Sequence, residues 1–551
     1  MAEEKPHDPY EPRPTLWQRH PNLGWILAVF GFTVFLTYAS FPPLSKGEAA
    51  YVLALPAILW AHRKPAFRMF AWTVLGAHAV AWTLLLWWLH NVTWVGLFLL
   101  GPFVGLLTGS WFLGVWWTIP RLQGHKAMVR IFAVLGLAGL WVVLEWFRSV
   151  LFGGFPWLPL AASQWQRPLI LQVAAYAGSG ATSFILIVFN LGAAAYVHRA
   201  FFEGVTGFKK RTPEFSVALL VLMGGSFPFV ADTINQQRRP LVRAALVQPY
   251  IPQNEKWDSA RATEVLLTLE KVTLEGARQG SPQLIIWPEA VTPWALHRDP
   301  NVGAWLESIA KRTNRPVLLG TIYTEGSSPG DEKWYNGAFV VQPGSGVVEP
   351  GYAKRKLVPF GEYIPLRPIF GWIDKFAPIG GDFQRGSDPT PLKVTAGSRQ
   401  TAVGVLICYE DIFPHLARES TRAGAEVLAV LTNNGWFGEG GAAYQHAAHS
   451  VLRAVENRRP VIRCGNGGWS GWIDEFGAIR AVLKDENDSV YFRGAQTLEV
   501  TRDLRWAGRQ SYYVQHGDWF LVLCVGLAAG AYYLVLMLRP PRPELDARPR
   551  F

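Results

Sequence analysis

The chain has 551 residues, enough for several domains, and half of them are hydrophobic while only 17% are charged. This composition is too apolar for a single soluble domain. The net charge of +11 could indicate nucleic-acid binding. The basic residues, however, stand in short segments between apolar runs, which is typical of the cytoplasmic flanks of membrane helices. We therefore expect a membrane protein that binds no nucleic acid.

Long apolar runs dominate the first part of the chain, and crossing a bilayer takes about 20 such residues. The runs cover residues 23–39, 48–62, 69–90, 92–119, 129–147, 169–198, 214–232 and 519–538. The run at 48–62 is short and could be re-entrant. The pattern predicts about eight spans, seven of them before a long middle segment of ordinary globular composition.

Basic residues alternate between the connections and predict the orientation. They precede the first span and follow the second, fourth, sixth and eighth, whereas the other connections hold few. The positive-inside rule then places both termini in the cytoplasm and the middle segment outside. The predicted organisation is a cytoplasmic tail (1–22), spans one to seven (23–232), an extracytoplasmic domain (233–517), span eight (518–538) and a cytoplasmic tail (539–551).

A Glu and an Arg lie at the outer end of the fifth predicted span. Charged groups at a membrane boundary are costly unless they are paired or functional. Glu145 and Arg148 are three residues apart, so a helix would bring them together as an ion pair. A structural pair and a functional role both stay open. The Trp residues around them fit an interfacial belt.

The middle segment alternates strand and helix patterns. Strands are predicted at 241–248, 284–287, 317–323, 336–342, 346–349, 401–408, 426–431, 461–464 and 469–473, and helices at 259–279, 302–312, 414–423 and 445–457. This alternation predicts a layered α/β domain with mixed sheets.

One of these strands ends in a thiol. Residues 405–411 read Val-Leu-Ile-Cys-Tyr-Glu-Asp, so an apolar strand delivers Cys408 to a polar edge. This placement suits a nucleophile, although a free Cys is often only a packed core residue. Cys464 could pair with Cys408 in an oxidising compartment, so a disulfide is an open alternative. Cys524 lies in an apolar helix and is expected to be inert.

Two other stretches present groups that would serve such a thiol. Glu289 follows an apolar strand, and Lys354 lies in a basic stretch before Pro-Phe-Gly-Glu. A carboxylate can take a thiol proton, and an ammonium can stabilise a thiolate or a tetrahedral oxyanion, with the N–H of Tyr409 as a second donor. His446 and His449 have no third metal ligand nearby in the sequence, so we expect surface or site-lining residues and no metal.

Glu289, Lys354 and Cys408 follow one another in the order of the nitrilase superfamily triad. The phrases Leu357–Pro365 (LVPFGEYIP) and Ile407–Asp411 (ICYED) resemble the apolipoprotein N-acyltransferase branch of that superfamily. The resemblance covers nearly the whole chain. It implies a multi-pass α-helical membrane domain of about eight spans joined to a nitrilase-like α-β-β-α sandwich. It also implies the bacterial inner membrane, with the sandwich on the periplasmic side.

The resemblance implies a role for each matching residue. Cys408 would be the acylated nucleophile, Glu289 the general base and Lys354 the group that stabilises the tetrahedral intermediate. Glu362 would orient Lys354 or assist proton transfer. Further residues would bind substrate or support the site: Tyr409, Glu410, Trp257, Asn433 and Trp436.

The substrates implied by the resemblance are a phospholipid acyl donor and the diacylglyceryl-modified N-terminal Cys of a lipoprotein, used in ping-pong order by a monomer without a cofactor. Two stretches depart from the family pattern, Asn434-Gly435 and the Gly- and Trp-rich residues 465–472. They put acceptor or acyl-chain specificity in question. A membrane-tethered amidase or nitrilase with a small substrate and a non-enzymatic lipid-binding protein are the alternatives.

Overall fold

A computed structural model of the chain describes residues 22–203, 212–234, 236–256, 258–326, 331–371 and 382–538. Both predicted tails, apart from Asn22, lie outside the described residues, and so does Trp257. Within the described part, an N-terminal helical bundle precedes two β-sheets, and one more long helix follows them.

The bundle contains nine α-helices in the described residues. They are α1 (Leu23–Ser40), α2 (Leu55–His62), α3 (Phe67–Leu85), α4 (Trp94–Thr118), α5 (Ala127–Val150), α6 (Pro168–Leu171), α7 (Ala174–Ala177), α8 (Ser179–Phe201) and α9 (Pro213–Thr233). The helix Trp519–Met537 packs against α5 and returns the end of the chain to the bundle.

Six helices of the described residues are long and apolar enough to cross a membrane: α1, α4, α5, α8, α9 and Trp519–Met537. The prediction of one spanning helix at 48–62 is wrong. The chain there forms a short 3-10 helix, Gly47–Tyr51, and then the eight-residue α2, because Pro56 is tolerated only in the first turn of a helix. The predicted span at 69–90 becomes α3, whose 19 residues include Arg68 and His78 and are less apolar than the six.

Twelve strands form two six-stranded sheets in the described residues. They are β1 (Arg238–Gln248), β2 (Leu284–Ile286), β3 (Val317–Glu325), β4 (Lys333–Gln342), β5 (Gly346–Ala353), β6 (Leu392–Ala396), β7 (Arg399–Ile407), β8 (Val427–Thr432), β9 (Val461–Gly465), β10 (Gly471–Ile473), β11 (Ile479–Val482) and β12 (Gly494–Asp503). The strand orders are β12-β1-β2-β3-β4-β5 and β11-β10-β9-β8-β7-β6.

The helices after β1 are α10 (Gln253–Lys256), α11 (Ala262–Arg278), α12 (Pro300–Thr313), α13 (Arg367–Phe370), α14 (Pro414–Arg422), α15 (Gly441–Asn457), α16 (Tyr512–His516) and α17 (Trp519–Met537). The sheets pack face to face, with α11 and α12 on the outer face of the first sheet and α14 and α15 on that of the second, whereas α17 belongs to the bundle. Leu246, Leu318 and Val405 belong to the core between the sheets. The predicted α-β-β-α sandwich with a helical membrane region is thereby confirmed.

The sandwich and the bundle share one continuous core. Leu428 of the second sheet and Val451 of α15 pack in the same apolar cluster as Trp157 of the bundle. Gln445 joins the two regions. Its Oε1 accepts from the indole N–H of Trp88 at 3.1 Å and of Trp157 at 2.9 Å. Its Nε2 donates to the carbonyls of Pro42 and Leu85.

Parallel strands set the position of the site. In the second sheet β7, β8 and β9 run parallel, and in the first sheet β1, β2 and β3 do so. Parallel strands bring their carboxyl ends to one edge of a sheet. Cys408 directly follows β7, Asn433 follows β8, and Glu289 comes three residues after β2.

Candidate active site

Cys408 lies in a strained turn at the end of β7. Its φ is +49°, in the left-handed region that costs a non-glycine residue about 1–3 kcal/mol. It begins a 3-10 helix, Cys408–Ile412, and is buried. The Ile407 N–H donates to Glu410 Oε2 at 2.7 Å and fixes the turn. Strain of this kind clusters at functional sites, because the surrounding structure must hold it.

A buried ammonium lies between two carboxylates beside this turn. Lys354 Nζ is 3.1 Å from Glu289 Oε1 and 2.8 Å from Glu362 Oε1. Asn336 Nδ2 donates to the same two oxygens, at 2.9 and 2.8 Å. Glu362 Oε2 also accepts from the Val358 N–H at 2.8 Å. The cluster is rigid because each carboxylate is held from more than one direction.

The thiol and the Glu289 carboxylate share a neighbour. The Asn433 N–H donates to Glu289 Oε2 at 3.1 Å. The same backbone N–H and the side chain of Thr432 favour the thiolate of Cys408 and partly oppose the rise in the pKa of that thiol. The structure thus brings the three predicted residues, Glu289, Lys354 and Cys408, to one place. Each comes from a different loop or strand end.

The charges of the resting site follow from burial and from these contacts. Burial and the Glu289 charge raise the pKa of Cys408 to about 12. Burial also favours a neutral Glu289, but Lys354 and Asn336 outweigh it and lower the pKa of that carboxyl. Burial disfavours the Lys354 ammonium, but Glu289 and Glu362 raise its pKa well above the usual value. The resting site holds a neutral thiol, a carboxylate and an ammonium, so a thiol attack needs a base.

Glu410 connects the Cys408 turn to the segment that carries Lys354. Its side chain is fully buried, and Oε2 accepts from the Tyr352 hydroxyl at 2.8 Å as well as from Ile407. Oε1 accepts from the N–H groups of Arg355 and Lys356. Glu410 therefore ties the Cys408 turn to the segment that carries Lys354, and its oxygens are occupied by the protein.

The other predicted supporting residues that the structure describes surround the cluster, and only Trp436 among them is exposed. The Tyr409 hydroxyl donates to the Gly154 carbonyl at 2.9 Å, so the residue after Cys408 contacts the bundle. Asn433 Nδ2 donates to Gln253 Oε1 at 2.7 Å, and its backbone contacts Glu289. Trp436 is 48% exposed. The prediction for Trp257 concerns a residue outside the described part of the chain.

Sequence reasoning missed two groups in the first layer of contacts. Asn336, on β4, holds both carboxylates, but a strand Asn carries no signal without its partners. Lys256 is buried, and its Nζ donates to the Glu289 carbonyl at 3.1 Å. Burial lowers the pKa of Lys256 to about 8, against the opposing effect of Glu289. The signal available at this position was the next residue, Trp257, which the family resemblance assigns to the site.

A polar layer lies behind the Cys408 turn. His446 Nε2 is 3.1 Å from the Cys408 carbonyl oxygen and 2.7 Å from Asp411 Oδ1. Asp411 Oδ2 is 2.7 Å from an Arg463 nitrogen. Burial lowers the pKa of His446, so the ring is neutral at pH 7. His446 is thus a buried residue behind the site and not on the surface.

The disulfide alternative is wrong, because Cys408, Cys464 and Cys524 are all free thiols. Cys464 donates to the carbonyls of Val247 and Ile286 at 3.4 and 3.3 Å, in the core between the sheets. Within the described residues, no group of three or more His, Cys, Asp or Glu side chains could hold a metal ion.

A Glu145–Arg148 salt bridge, one of the two alternatives that the sequence left open, does not form. Glu145 Oε1 instead accepts from Trp141 Nε1 at 2.9 Å and from the Leu160 N–H at 2.7 Å. The Arg148 guanidinium lies 4.9 Å from the ring centre of Trp82. Two neutral donors therefore bind the carboxylate oxygen that the i, i+3 spacing could have paired with the Arg148 cation.

Both the sandwich and the helical bundle match models of known protein families. The carbon-nitrogen hydrolase family model matches residues 243–512, and the apolipoprotein N-acyltransferase N-terminal domain model matches residues 33–192. The apolipoprotein N-acyltransferase of Geobacter metallireducens is 30% identical over 522 residues, 92% of this chain and 94% of its own. The one from Chlorobaculum tepidum is 28% identical over 533 residues, 92% of this chain and 95% of its own. An amidase structure from Nesterenkonia sp. has 19% identity and a TM-score of 0.37, covering 53% of this chain and 99% of its own.

The two packed sheets and the carbon-nitrogen hydrolase match define a nitrilase-superfamily enzyme region joined to membrane helices. The match of the N-terminal model and the full-length relatives then specify the branch. The chain belongs to the apolipoprotein N-acyltransferase family, and it is a multi-pass membrane protein.

Proposed function

We propose that this protein transfers a fatty acyl chain from a phospholipid to the α-amino group of the diacylglyceryl-modified N-terminal Cys of a lipoprotein. The observation that carries the proposal is the buried Glu289–Lys354–Glu362 cluster beside the free thiol of Cys408. The names of the full-length relatives support the reaction class.

In the first half-reaction Glu289 takes the Cys408 proton while the sulfur attacks the ester carbonyl carbon of the phospholipid. Lys354, held by Glu289 and Glu362, stabilises the tetrahedral oxyanion, with the Tyr409 N–H as a second donor. The bond between the carbonyl carbon and the glycerol oxygen breaks. Glu289 returns the proton to that oxygen, and a lysophospholipid leaves the thioester.

In the second half-reaction the lipoprotein amine attacks the thioester carbon. Glu289 accepts a proton from the amine nitrogen, the carbon–sulfur bond breaks, and the sulfur regains a proton from Glu289. The product is an amide. One sulfur serves two successive transfers through one base, so ping-pong kinetics follow.

The position of the site supports lipid substrates. The Tyr409 hydroxyl, next to Cys408 in the chain, donates to the Gly154 carbonyl in the bundle. Trp436 is exposed, and its neighbour Phe437 accepts a hydrogen bond from Asn91, in the segment before α4. A thiol held beside membrane helices lies close to the headgroup region, where both lipid substrates reside.

The experiment is labelling of the purified full-length protein with a phospholipid that carries an alkyne-tagged acyl chain. Intact-protein mass spectrometry is expected to give one acyl adduct that maps to Cys408 and is missing in Cys408→Ser. Cys464→Ser is the matched control and is expected to be labelled, because Cys464 is buried between the sheets. A diacylglyceryl peptide added afterwards should remove the label and become an amide.

Two outcomes would contradict the transfer. Release of the label only as free fatty acid, with the peptide present, indicates a hydrolase that uses water as the acceptor. A lipid-bound protein without any adduct indicates a binding protein without this chemistry.

We propose further that the protein is a monomer of the bacterial inner membrane, with the sandwich periplasmic and both termini cytoplasmic. One end of the bundle contacts the sandwich, as in the Gln445–Pro42 hydrogen bond. Basic residues, Arg121 and Lys126 among them, follow α4 at the opposite end, where Gln123 bonds to the His62 carbonyl. A membrane-impermeant thiol reagent on intact spheroplasts should label Ser398→Cys and not Lys126→Cys. The reverse result would overturn the orientation.

A further inference from the structure

A cleft inside the helical bundle is not used by the reaction described above. It is lined by residues of α1, α3, α4 and α5 and of the segment after α5. Its walls are mostly apolar and aromatic, with Trp82, Trp111, Trp141 and Leu158 among them. Two charged side chains, Glu145 and Arg148, also face it.

Arg148 is buried without a salt bridge among the described residues. It is 4% exposed, and its Nε has no hydrogen-bond partner in the same part of the chain. Its guanidinium lies over the face of Trp82, 4.9 Å from the ring centre, and the charge of Glu145 acts on it from beyond salt-bridge distance. A buried cation without a salt bridge is costly, and such a group inside a membrane region usually marks a ligand or ion site.

Glu145 forms no salt bridge with Arg148. Its Oε1 already accepts from Trp141 Nε1 and from the Leu160 N–H, at 2.9 and 2.7 Å. These neutral donors hold the carboxylate against the wall of the cleft. The guanidinium of Arg148 is left facing the cleft, with donors available for a second anion.

Short contacts connect Arg148 with the reactive turn. The Phe155 N–H donates to the Arg148 carbonyl at 3.0 Å, which closes the loop after α5. The carbonyl of Gly154 in this loop accepts from the Tyr409 hydroxyl at 2.9 Å. Tyr409 is the neighbour of Cys408 in the chain. The Tyr409–Gly154 hydrogen bond therefore links the loop beside the cleft to the turn that carries Cys408.

We propose that Arg148 binds the phosphodiester of the acyl-donor phospholipid at the mouth of the cleft. The planar guanidinium can hold two phosphate oxygens at once, which a point charge cannot do as well. The cleft itself has a volume of about 30 Å³, which is too small for an acyl chain, so the chains of the lipid lie outside it. This inference rests on the proposed function, because it names the site at which that reaction's donor is held.

The test separates binding from chemistry by using full-length Cys408→Ala protein, which cannot form a thioester. Phosphatidylglycerol is titrated into the delipidated protein in detergent, and native mass spectrometry counts the bound lipid. Arg148→Gln should weaken binding about tenfold, the equivalent of 1.4 kcal/mol, whereas Arg148→Lys should weaken it by less than about threefold because the charge remains.

Arg121→Gln is the matched control. Arg121 also lies over a Trp ring, at 4.8 Å from that of Trp117, but it is exposed, and we expect its replacement to leave phosphatidylglycerol binding unchanged. Equal binding by the Cys408→Ala protein with and without Arg148→Gln would overturn the proposal. So would displacement of the lipid by inorganic phosphate alone, because the site would then bind a free anion without a chain.

The two proposals fail in different ways. Binding that depends on Arg148, together with no acyl adduct on Cys408 of the otherwise wild-type protein, keeps the lipid site and rejects the acyl transfer. An adduct whose rate at limiting phospholipid is unchanged by Arg148→Gln keeps the transfer and rejects the lipid site.

Discussion

Lys354 in the sandwich and Arg148 in the bundle are both buried cations, but their surroundings differ. Lys354 has two carboxylates within 3.1 Å, and Asn336 bridges the same oxygens. Arg148 lies over an aromatic ring and forms no salt bridge within the described residues. A cation whose partners are all in place is preorganised for chemistry, because nothing has to move when charge develops. A cation without a salt bridge keeps donors available for a ligand. The difference matches the roles proposed for the two residues, stabilisation of charge for Lys354 and lipid binding for Arg148.

The largest effect is expected when Lys354, the cation held by two carboxylates, is replaced. Lys354→Met should slow acylation of Cys408 by roughly 1,000-fold, because loss of one oxyanion donor costs about 100- to 1,000-fold and the remaining carboxylates would repel the developing charge. The rate is measured as adduct formation by intact-protein mass spectrometry. Lys356→Met is the control, since Lys356 lies over the Phe413 ring and outside the cluster.

Thermal unfolding of the delipidated protein tests the comparison directly. Lys354→Met should cost about 3–5 kcal/mol, the usual penalty for removing one partner of a buried ion pair. Arg148→Met should cost much less, because Arg148 forms no salt bridge within the described residues that the substitution would break. A large loss of stability in Arg148→Met would mean that Arg148 has a structural partner and would remove the contrast.

A smaller effect is expected from the amide that bridges the carboxylates. The folded pKa of Glu289 lies below its ordinary value of 4.5, so the base stays ionised and acylation persists as the pH falls to that value. The Asn336 hydrogen bond lowers this pKa, and its removal in Asn336→Leu should raise it. The acid limb of the pH–rate profile should then move toward neutral pH, with a plateau rate only several-fold lower. An unmoved acid limb would show that another group limits the rate.

The smallest effect is expected at the rim of the site. Trp436 is 48% exposed, so Trp436→Ala should change the free energy of unfolding by less than about 0.5 kcal/mol. Its acylation rate at limiting phospholipid should fall less than about threefold. A tenfold loss would give this side chain a part in lipid binding comparable to that proposed for Arg148.

The sequence predicted the sheet strands well where they were apolar and less well at the edges. Strand β7 and its thiol stood out because consecutive buried residues give a strong pattern. Strands β6, β11 and β12 were not predicted, because β6 and β11 have only five and four residues and most of β12 is not buried. The antiparallel partner of β12 is β1, about 250 residues earlier in the chain, and local patterns carry no information about such pairing.

The sequence by itself determined the membrane region, the layered α/β class and the choice of Glu289, Lys354 and Cys408 as candidate site residues, because apolar runs and short motifs are local properties of the chain. Only the tertiary structure decided that Asn336 bridges the carboxylates, that Gln445 joins the two regions and that Glu145 accepts from neutral donors instead of Arg148. Each of these depends on which distant donors and acceptors meet in a buried space. The energy of a buried polar group is set by those partners and not by its neighbours in sequence.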